Sequence, residues 1–387
     1  MSTVFDTVQS VSTIALEDET IPAAGALPGG AEWRALVDGS AEPNPFYTPE
    51  YLGALSAADG AKRPRIVSVR RENGVLCALV PMISAWTAYR LPVAAHIAHF
   101  PYIPFGTPSV LSDDPTGSAR RLIEHAASLG LSAMVFPFAR LDGPTAEAIE
   151  KVLAAQGLSS RVINRHERAV LDATGDAETY LRAGMGSKKL KDLRRLRHRL
   201  DEMGTVSNTI ARTPKDVGSA LARFLELEAR GWKGEHGSGL GQSSGDRTFI
   251  ERAAVAMAAH GQFEIVEMWL DTHLLATGIV LRAGRTAVFF KTAYDEEFAK
   301  FSPGVQLTVE LTRQFCADPG IDFADSSAAA NHPMIERIWR ERICVGDLIV
   351  PTRGGLGAKL AIAVIFARAA ARARAKQIYL YFRNFKR

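Results

Sequence analysis

The sequence predicts a mixed α/β protein built as two similar halves, and three observations carry that expectation. Glu72-Asn73-Gly74 separates two β-rich runs, Arg63–Arg71 and Val75–Ile83, and Asn-Gly between such runs is a strong hairpin signal. Phe263–Leu270, Leu274–Ala283 and Thr286–Tyr294 read as a three-strand meander, with turns at Asp271-Thr272 and Gly284-Arg285. In both halves helices and strands then alternate, the order of mixed sheets with helices packed on them. At 387 residues, 47% of them apolar, the chain is long enough for two domains with sizeable cores. The expected divisions are a flexible lead-in over residues 1–30, a first domain over 31–173, a second over 174–346, and a basic helical tail over 347–387.

Each element has a local cause. The first residues are small and polar and suit a mobile lead-in. Glu32–Ala57 is partly helical and contains the run NPFYTPEYL, and an aromatic, proline-rich loop, His99–Pro108, follows the hairpin. Asp113 or Asp114 caps a helix over Pro115–Leu129, which Gly130 ends. Ser132–Arg140 reads as a strand, Thr145–Gln156 as a helix and Arg161–Ala173 as a strand. Ser187–Met203 is a basic amphipathic helix: Leu193, Leu196, Leu200 and Met203 form its apolar stripe, and seven lysines and arginines between Lys188 and Arg199 crowd the rest. A strand, Val206–Arg212, and a helix capped by Thr213, Pro214–Arg230, lead to the meander. Beyond it come a helix over Val305–Cys316, a short strand over Ile321–Ser326 and a helix around Met334–Arg342.

The formal charge of +4 is unevenly spread: no Asp or Glu follows Asp347, while nine lysines and arginines do. The three cysteines, Cys77, Cys316 and Cys344, are far apart, so neither a disulfide framework nor a metal site is expected. No basic stretch followed by an apolar one opens the chain, so no signal peptide is expected. The longest apolar run, near Leu360–Phe366, is too short to span a bilayer. A cytoplasmic protein follows as the expectation. The tail ends in the aromatic run YLYFRNF. Basic charge with terminal aromatics suits peripheral contact with an anionic inner membrane, a helix docked on the body, or a site for an anionic regulator.

The chemistry concentrates where Thr286–Tyr294 passes through Ser302-Pro303-Gly304 into a helix. A helix N-terminus offers free N–H groups and the positive end of a dipole, which favours an anion such as phosphate. Helix, meander, turn, helix, strand is also the element order of the GNAT acyltransferases. Leu225–Leu240, LELEARGWKGEHGSGL, resembles the Glu, Trp-Lys, Gly-Ser signature of CelD/BcsL-type acetyltransferases. Lys291–Leu307, KTAYDEEFAKFSPGVQL, resembles their Tyr-Asp-Glu and Ser-Pro-Gly block, and Asp322–Trp339 resembles a closing block of one subgroup. That family is related to the Fem-type peptidyl transferases, which carry two GNAT-like domains in tandem and use aminoacyl-tRNA.

The resemblance implies an N-acyltransferase that moves an acetyl or other acyl group from acyl-CoA to an amine, with no metal. The acceptor it implies is a small molecule or glycan, such as an amino sugar of a bacterial exopolysaccharide. It places the pantetheine between splayed strands and the pyrophosphate on Ser302, Pro303, Gly304, Val305 and Gln306. Simple GNAT enzymes have a Gln/Arg-x-x-Gly-x-Gly/Ala loop there, whereas this chain has a single glycine at that turn. The alternatives are an aminoacyl-tRNA-dependent Fem-type ligase and a non-catalytic effector acting through the tail. Nucleic acid is not the expected partner of the basic helix, because no aromatic residues interleave its charges.

Candidate catalytic groups are Glu228, Tyr294, Asp295, Asp322 and Asp325. An amine must lose a proton, an oxyanion must be stabilised and a thiolate must leave, which calls for a carboxylate and a hydroxyl or N–H donor. Glu228 reads equally as a helix-end charge, and Asp322 or Asp325 as a loop cap. Candidate substrate contacts are Trp232, Lys233, His236, Lys291 and His332. Lys291 lies in an apolar strand and must face a cleft or pair with a carboxylate such as Asp322 or Asp325.

Overall fold

The computed structural model describes residues 27–60, 62–231, 237 and 239–385. Nearly all of the expected lead-in therefore lies outside the described residues. Helices α1 (Gly30–Asp38) and α2 (Pro49–Leu55) open the fold. The hairpin forms from β1 (Arg65–Arg70) and β2 (Leu76–Ser84). Its turn works as the residue types require: Gly74 sits at φ 84°, and Asn73 Oδ1 accepts the Val75 amide at 3.2 Å. The first half continues through α3 (Ala85–Tyr89), β3 (Ala95–Ile97), β4 (Ser109–Val110), α4 (Pro115–Ser128), β5 (Ala133–Arg140), α5 (Pro144–Ala155) and β6 (Arg161–Asp172). Of the two aspartates proposed as caps of α4, Asp114 does the work, accepting the Gly117 amide at 2.9 Å.

The second half begins with α6 (Ala177–Asp201), β7 (Val206–Ala211), α7 (Pro214–Arg230) and α8 (Ser244–Ala258). The meander follows as β8 (Phe263–Leu270), β9 (His273–Ala283) and β10 (Thr286–Tyr294). Then come α9 (Pro303–Ala317), β11 (Phe323–Asp325), β12 (Glu341–Pro351) and α10 (Leu356–Phe385).

Several elements differ from expectation. Helix α6 begins at Ala177 rather than Ser187 and kinks at Gly186, whose φ is 76°. Helix α8 went unread; its Phe249, Ile250, Ala253 and Met257 are fully buried. The helix expected around Met334–Arg342 is a single 3-10 turn over Ile335–Arg337. The chain then enters β12, so the boundary expected at 346/347 falls inside a strand and the tail helix starts only at Leu356.

β12 changes the architecture. It lies between β5 and β6 of the first half and pairs antiparallel with both. β6 in turn pairs with β11 of the second half. One sheet of twelve strands results, in the order β1-β2-β3-β5-β12-β6-β11-β10-β9-β8-β7, with β4 on β2. The fold is mixed α/β, and the strands of its two halves are continuous.

The packing agrees. Along β8, Phe263 and Ile265 join one hydrophobic cluster while Val266 and Met268 join another, as the two-residue period of a strand requires. The first cluster runs across both halves, from Trp33, Phe46 and Tyr51 to Phe224, Phe249 and Phe263. Ring contacts tie the halves directly: Phe46 to Phe290 at 5.3 Å and Tyr102 to Phe249 at 5.6 Å between centroids. No helix among the described residues is long and apolar enough to cross a membrane.

One consequence concerns pH. Burial, with help from the Arg65 charge, pushes His96 on β3 from its ordinary 6.5 down to about 4. Between those values the unfolded chain binds a proton that the folded chain does not, so stability rises with pH across that window. Urea unfolding is expected to show stability falling from pH 7 to pH 5, and His96→Gln is expected to reduce that fall.

Candidate functional site

The site grows from a fork in the sheet. β10 and β11 run parallel and pair only from Thr286–Phe323 to Val288–Asp325. Beyond that point β10 carries a bulge between Phe289 and Lys291, while the chain after Asp325 turns away. Ser327, at φ 49°, closes the crotch: its hydroxyl donates to the Phe289 and Phe290 carbonyls at 3.0 and 3.1 Å. The far end of β10, through Tyr294, stays paired with β9 on one edge and has no strand on the other, beyond its β11 pairing.

Two clefts lie along that edge. The smaller, about 370 Å³, is bordered by Glu228, Tyr294, His332 and the Ser302–Val305 turn. The turn presents backbone donors to the cleft, which Glu228 and Glu296 also border. Ser302 is left-handed, at φ 54° and ψ 52°, and its side chain makes no capping bond. Pro303 has no N–H to satisfy, and no acidic residue occupies the first turn of α9. The Gln306 amide already bonds to the Ser302 carbonyl at 3.1 Å, which leaves Gly304 and Val305 as amides without an intrahelical acceptor.

The larger cleft, about 530 Å³, has walls from both halves. The first half supplies His99–Pro104 and Phe138; the second supplies Phe289–Thr292, Ser326–Ala328 and His332. Lys291 Nζ lies 5.9 Å from the Tyr102 ring centre and 6.0 Å from that of Phe290, within cation–π range. Tyr102 is itself anchored across the halves by donating its hydroxyl to Asp246 Oδ2 at 2.8 Å. Thr292, His332 and Met334 border both clefts, so the two meet there. His332 Nδ1 receives the Ile335 amide at 3.5 Å. An imidazole that accepts at Nδ1 donates from Nε2.

The candidates from sequence sort clearly. Glu228, Tyr294, Ser302, Pro303, Gly304, Val305, Lys291 and His332 all border the clefts. Glu228 is 3% exposed, and its Oε2 accepts the Leu240 amide at 2.6 Å. Gln306 does not border either cleft; it is buried and donates to the Phe301 carbonyl at 2.9 Å, bracing the turn from behind. Asp295 instead caps the following 3-10 turn through the Glu297 amide at 2.9 Å and meets His273 Nε2 at 2.8 Å.

Asp322 sits at the opposite end of β10, paired with Arg285, whose guanidinium holds its carboxyl below the ordinary range. Asp325 is wholly buried behind the larger cleft, 3.6 Å from Arg168, and burial raises its carboxyl above the ordinary range. Of the two alternatives for Lys291, the structure places it on the cleft wall, while Asp322 and Asp325 each sit beside an arginine. Trp232, Lys233 and His236 lie outside the described residues. Sequence reading missed the wall formed by His99–Pro104 and Phe138. Its only signal was the unusual density of aromatic and proline residues in that loop. No group of three or more His, Cys, Asp or Glu suited to a metal occurs among the described residues.

Comparison with known proteins finds a family match within the second half and fold likeness over most of the chain. Residues 187–332 match the family model described as an acetyltransferase (GNAT) domain. Those residues contain the meander, the fork and the Ser302–Val305 turn. No curated protein matches the sequence. Among solved structures, FemX superposes with a TM-score of 0.58 at 12% identity, covering 88% of this chain and 99% of FemX. The C-terminal domain of a putative lysylphosphatidylglycerol synthetase from Agrobacterium fabrum gives 0.52 at 13% identity, covering 87% and 94%. L-PGS from Bacillus licheniformis gives 0.51 at 11%, covering 88% and 98%. At these identities the likeness is one of fold, and it extends over both halves.

Proposed function

We propose that the GNAT domain of this chain moves an acyl group from acyl-CoA, held in the smaller cleft, to an amine held in the larger one. The single observation that carries this reading is the junction of the two clefts at Thr292, His332 and Met334. A thioester reaching along β10 from one side would meet an amine approaching from the other.

The residues fit the steps. The Gly304 and Val305 amides suit the CoA pyrophosphate. The amine nitrogen attacks the thioester carbonyl, and the His332 Nε2–H is placed to donate to the oxyanion that forms. Of the five catalytic candidates, Glu228 is the one carboxylate bordering the clefts, and it takes the amine proton directly or through water. The C–S bond then breaks, and the Tyr294 hydroxyl serves the departing thiolate. The aromatic walls and Lys291 suit a sugar ring with an anionic substituent. With the CelD/BcsL resemblance, that makes an amino sugar of a cell-surface polysaccharide the favoured acceptor.

Calorimetry with acetyl-CoA tests the donor. A Cβ at position 304 would lie 3.4 Å from Tyr294 Cδ1 and 3.7 Å from Met334 Sδ, ordinary or slightly tight contacts. Gly304→Glu is therefore expected to fold while placing a carboxylate beside the anion site. Like charges a few ångströms apart at a protein surface repel by about 4 kcal/mol, so acetyl-CoA affinity should fall by more than about 100-fold. No binding by the wild type would remove acyl-CoA from the proposal, and unchanged binding by the variant would remove the turn. An aminoacyl-tRNA donor is the second reading, favoured by the exposed Lys188, Lys191 and Arg199 of α6. It predicts tRNA binding that weakens steeply with salt and no heat with acetyl-CoA.

A further inference from the structure

Helix α10, Leu356–Phe385, spans 30 residues with no acidic side chain among them. Its first turns dock on the body: Ala358, Ala361 and Ile365 are buried, the last two in a cluster with Ala133, Val135 and Ile349. From Ala370 to Ala375, and at Gln377 and Ile378, every residue is exposed. At 1.5 Å per residue the helix from Ala370 onward is roughly 24 Å long.

The outward face of α10 is unusual. With 100° between successive residues, Leu356, Leu360, Ala363, Ala367, Ala371 and Ile378 fall in one stripe opposite the docked face. Leu356 is 85% exposed, Leu360 64% and Ile378 57%. Exposed Arg374 falls within the stripe and exposed Lys359 beside it, while exposed Arg372 lies on the opposite side of the helix, beyond the docked turns. On α3, which packs in the same cluster, Trp86 is 55% exposed.

The helix also reaches toward the larger cleft. The Arg368 guanidinium lies 3.5 Å from the Tyr89 ring centre. The Tyr89 ring is 5.8 Å from that of His99, which borders the cleft.

We propose that α10 is an interfacial helix that seats the protein on an anionic lipid bilayer, with the His99 rim of the larger cleft close to that surface. An exposed apolar stripe on a helix of purely basic charge is the composition that lies in the headgroup region. A nucleic acid would neutralise the charge but leave Leu356, Leu360 and Ile378 in water. A second copy of α10 would cover the leucines but oppose like charges. Combined with the transferase reading, on which this further step rests, the seat implies an amine acceptor carried on a membrane-anchored molecule.

Sedimentation with vesicles tests the proposal, using phosphatidylcholine alone and phosphatidylcholine with phosphatidylglycerol in equal parts. The full chain is expected to bind only the anionic vesicles. Arg372→Glu/Arg374→Glu and Leu360→Ser/Ile378→Ser alter exposed positions only, and each pair should lower partitioning by roughly 30-fold or more. Failure of the wild type to bind, full binding by either variant, or displacement from vesicles by a DNA duplex would overturn it. Vesicle binding needs neither acetyl-CoA nor an acceptor, so its failure is separable from failure of the transferase reading.

Discussion

Replacing His332 by alanine is expected to lower turnover by about 10²–10³, the usual cost of removing one oxyanion donor, while leaving acetyl-CoA affinity unchanged. The two readouts separate because His332 borders the junction of the clefts, whereas the pyrophosphate site proposed above is at the Gly304 and Val305 amides. His332→Gln retains an N–H donor and should recover part of the lost rate. A purely structural histidine would behave differently: both variants would lose stability and donor binding together. The measurement is thiol release from acetyl-CoA with an amino-sugar acceptor, set beside calorimetric affinity. Equal rates for wild type and alanine variant would remove His332 from the chemistry.

Asp325→Ala is expected to destabilise the fold by about 3–5 kcal/mol, because it leaves the Arg168 charge buried without its partner. The pair is 3% and 0% exposed in its side chains. Arg168 also donates to the Pro104 carbonyl from both terminal nitrogens at 3.2 Å and stacks over Phe105 at 4.9 Å. The ion pair thus ties β11 and β6 to the loop that forms the first-half wall of the larger cleft. Removing both charges, in Arg168→Met/Asp325→Leu, should recover much of the loss, since apolar replacements of buried pairs are often tolerated. Chemical denaturation of the three variants checks this. An Asp325→Ala variant of wild-type stability but without activity would return Asp325 to the catalytic role first expected of it.

These two residues mark the limit of sequence reading. Asp325 and Asp322 looked equivalent, bracketing one short strand. Their fates differ because Asp325 meets a buried arginine from β6, while Asp322 meets an exposed arginine from the β9–β10 turn. Tyr294 and the Ser302–Val305 turn are close in the chain and border one cleft, whereas Glu228 reaches it from α7, far back along the chain. The aromatic wall from His99 to Pro104 was visible as composition but not as function, since the other wall of its cleft comes from the far half of the chain.

The hairpin, the meander, most helix caps and the start of α9 follow from local chemistry: turn residues, side-chain caps and hydrophobic period act over a few positions. Tertiary structure alone decided that β12 would be a strand between β5 and β6, that the halves would share one sheet, and that two clefts would meet at His332. The reason is physical. A strand exists only by pairing, and the partners of β12 lie on β5 and β6, some two hundred residues back along the chain. Burial, too, is a property of the assembled layers. It makes Asp325 a structural ion pair and leaves the outward stripe of α10 facing solvent.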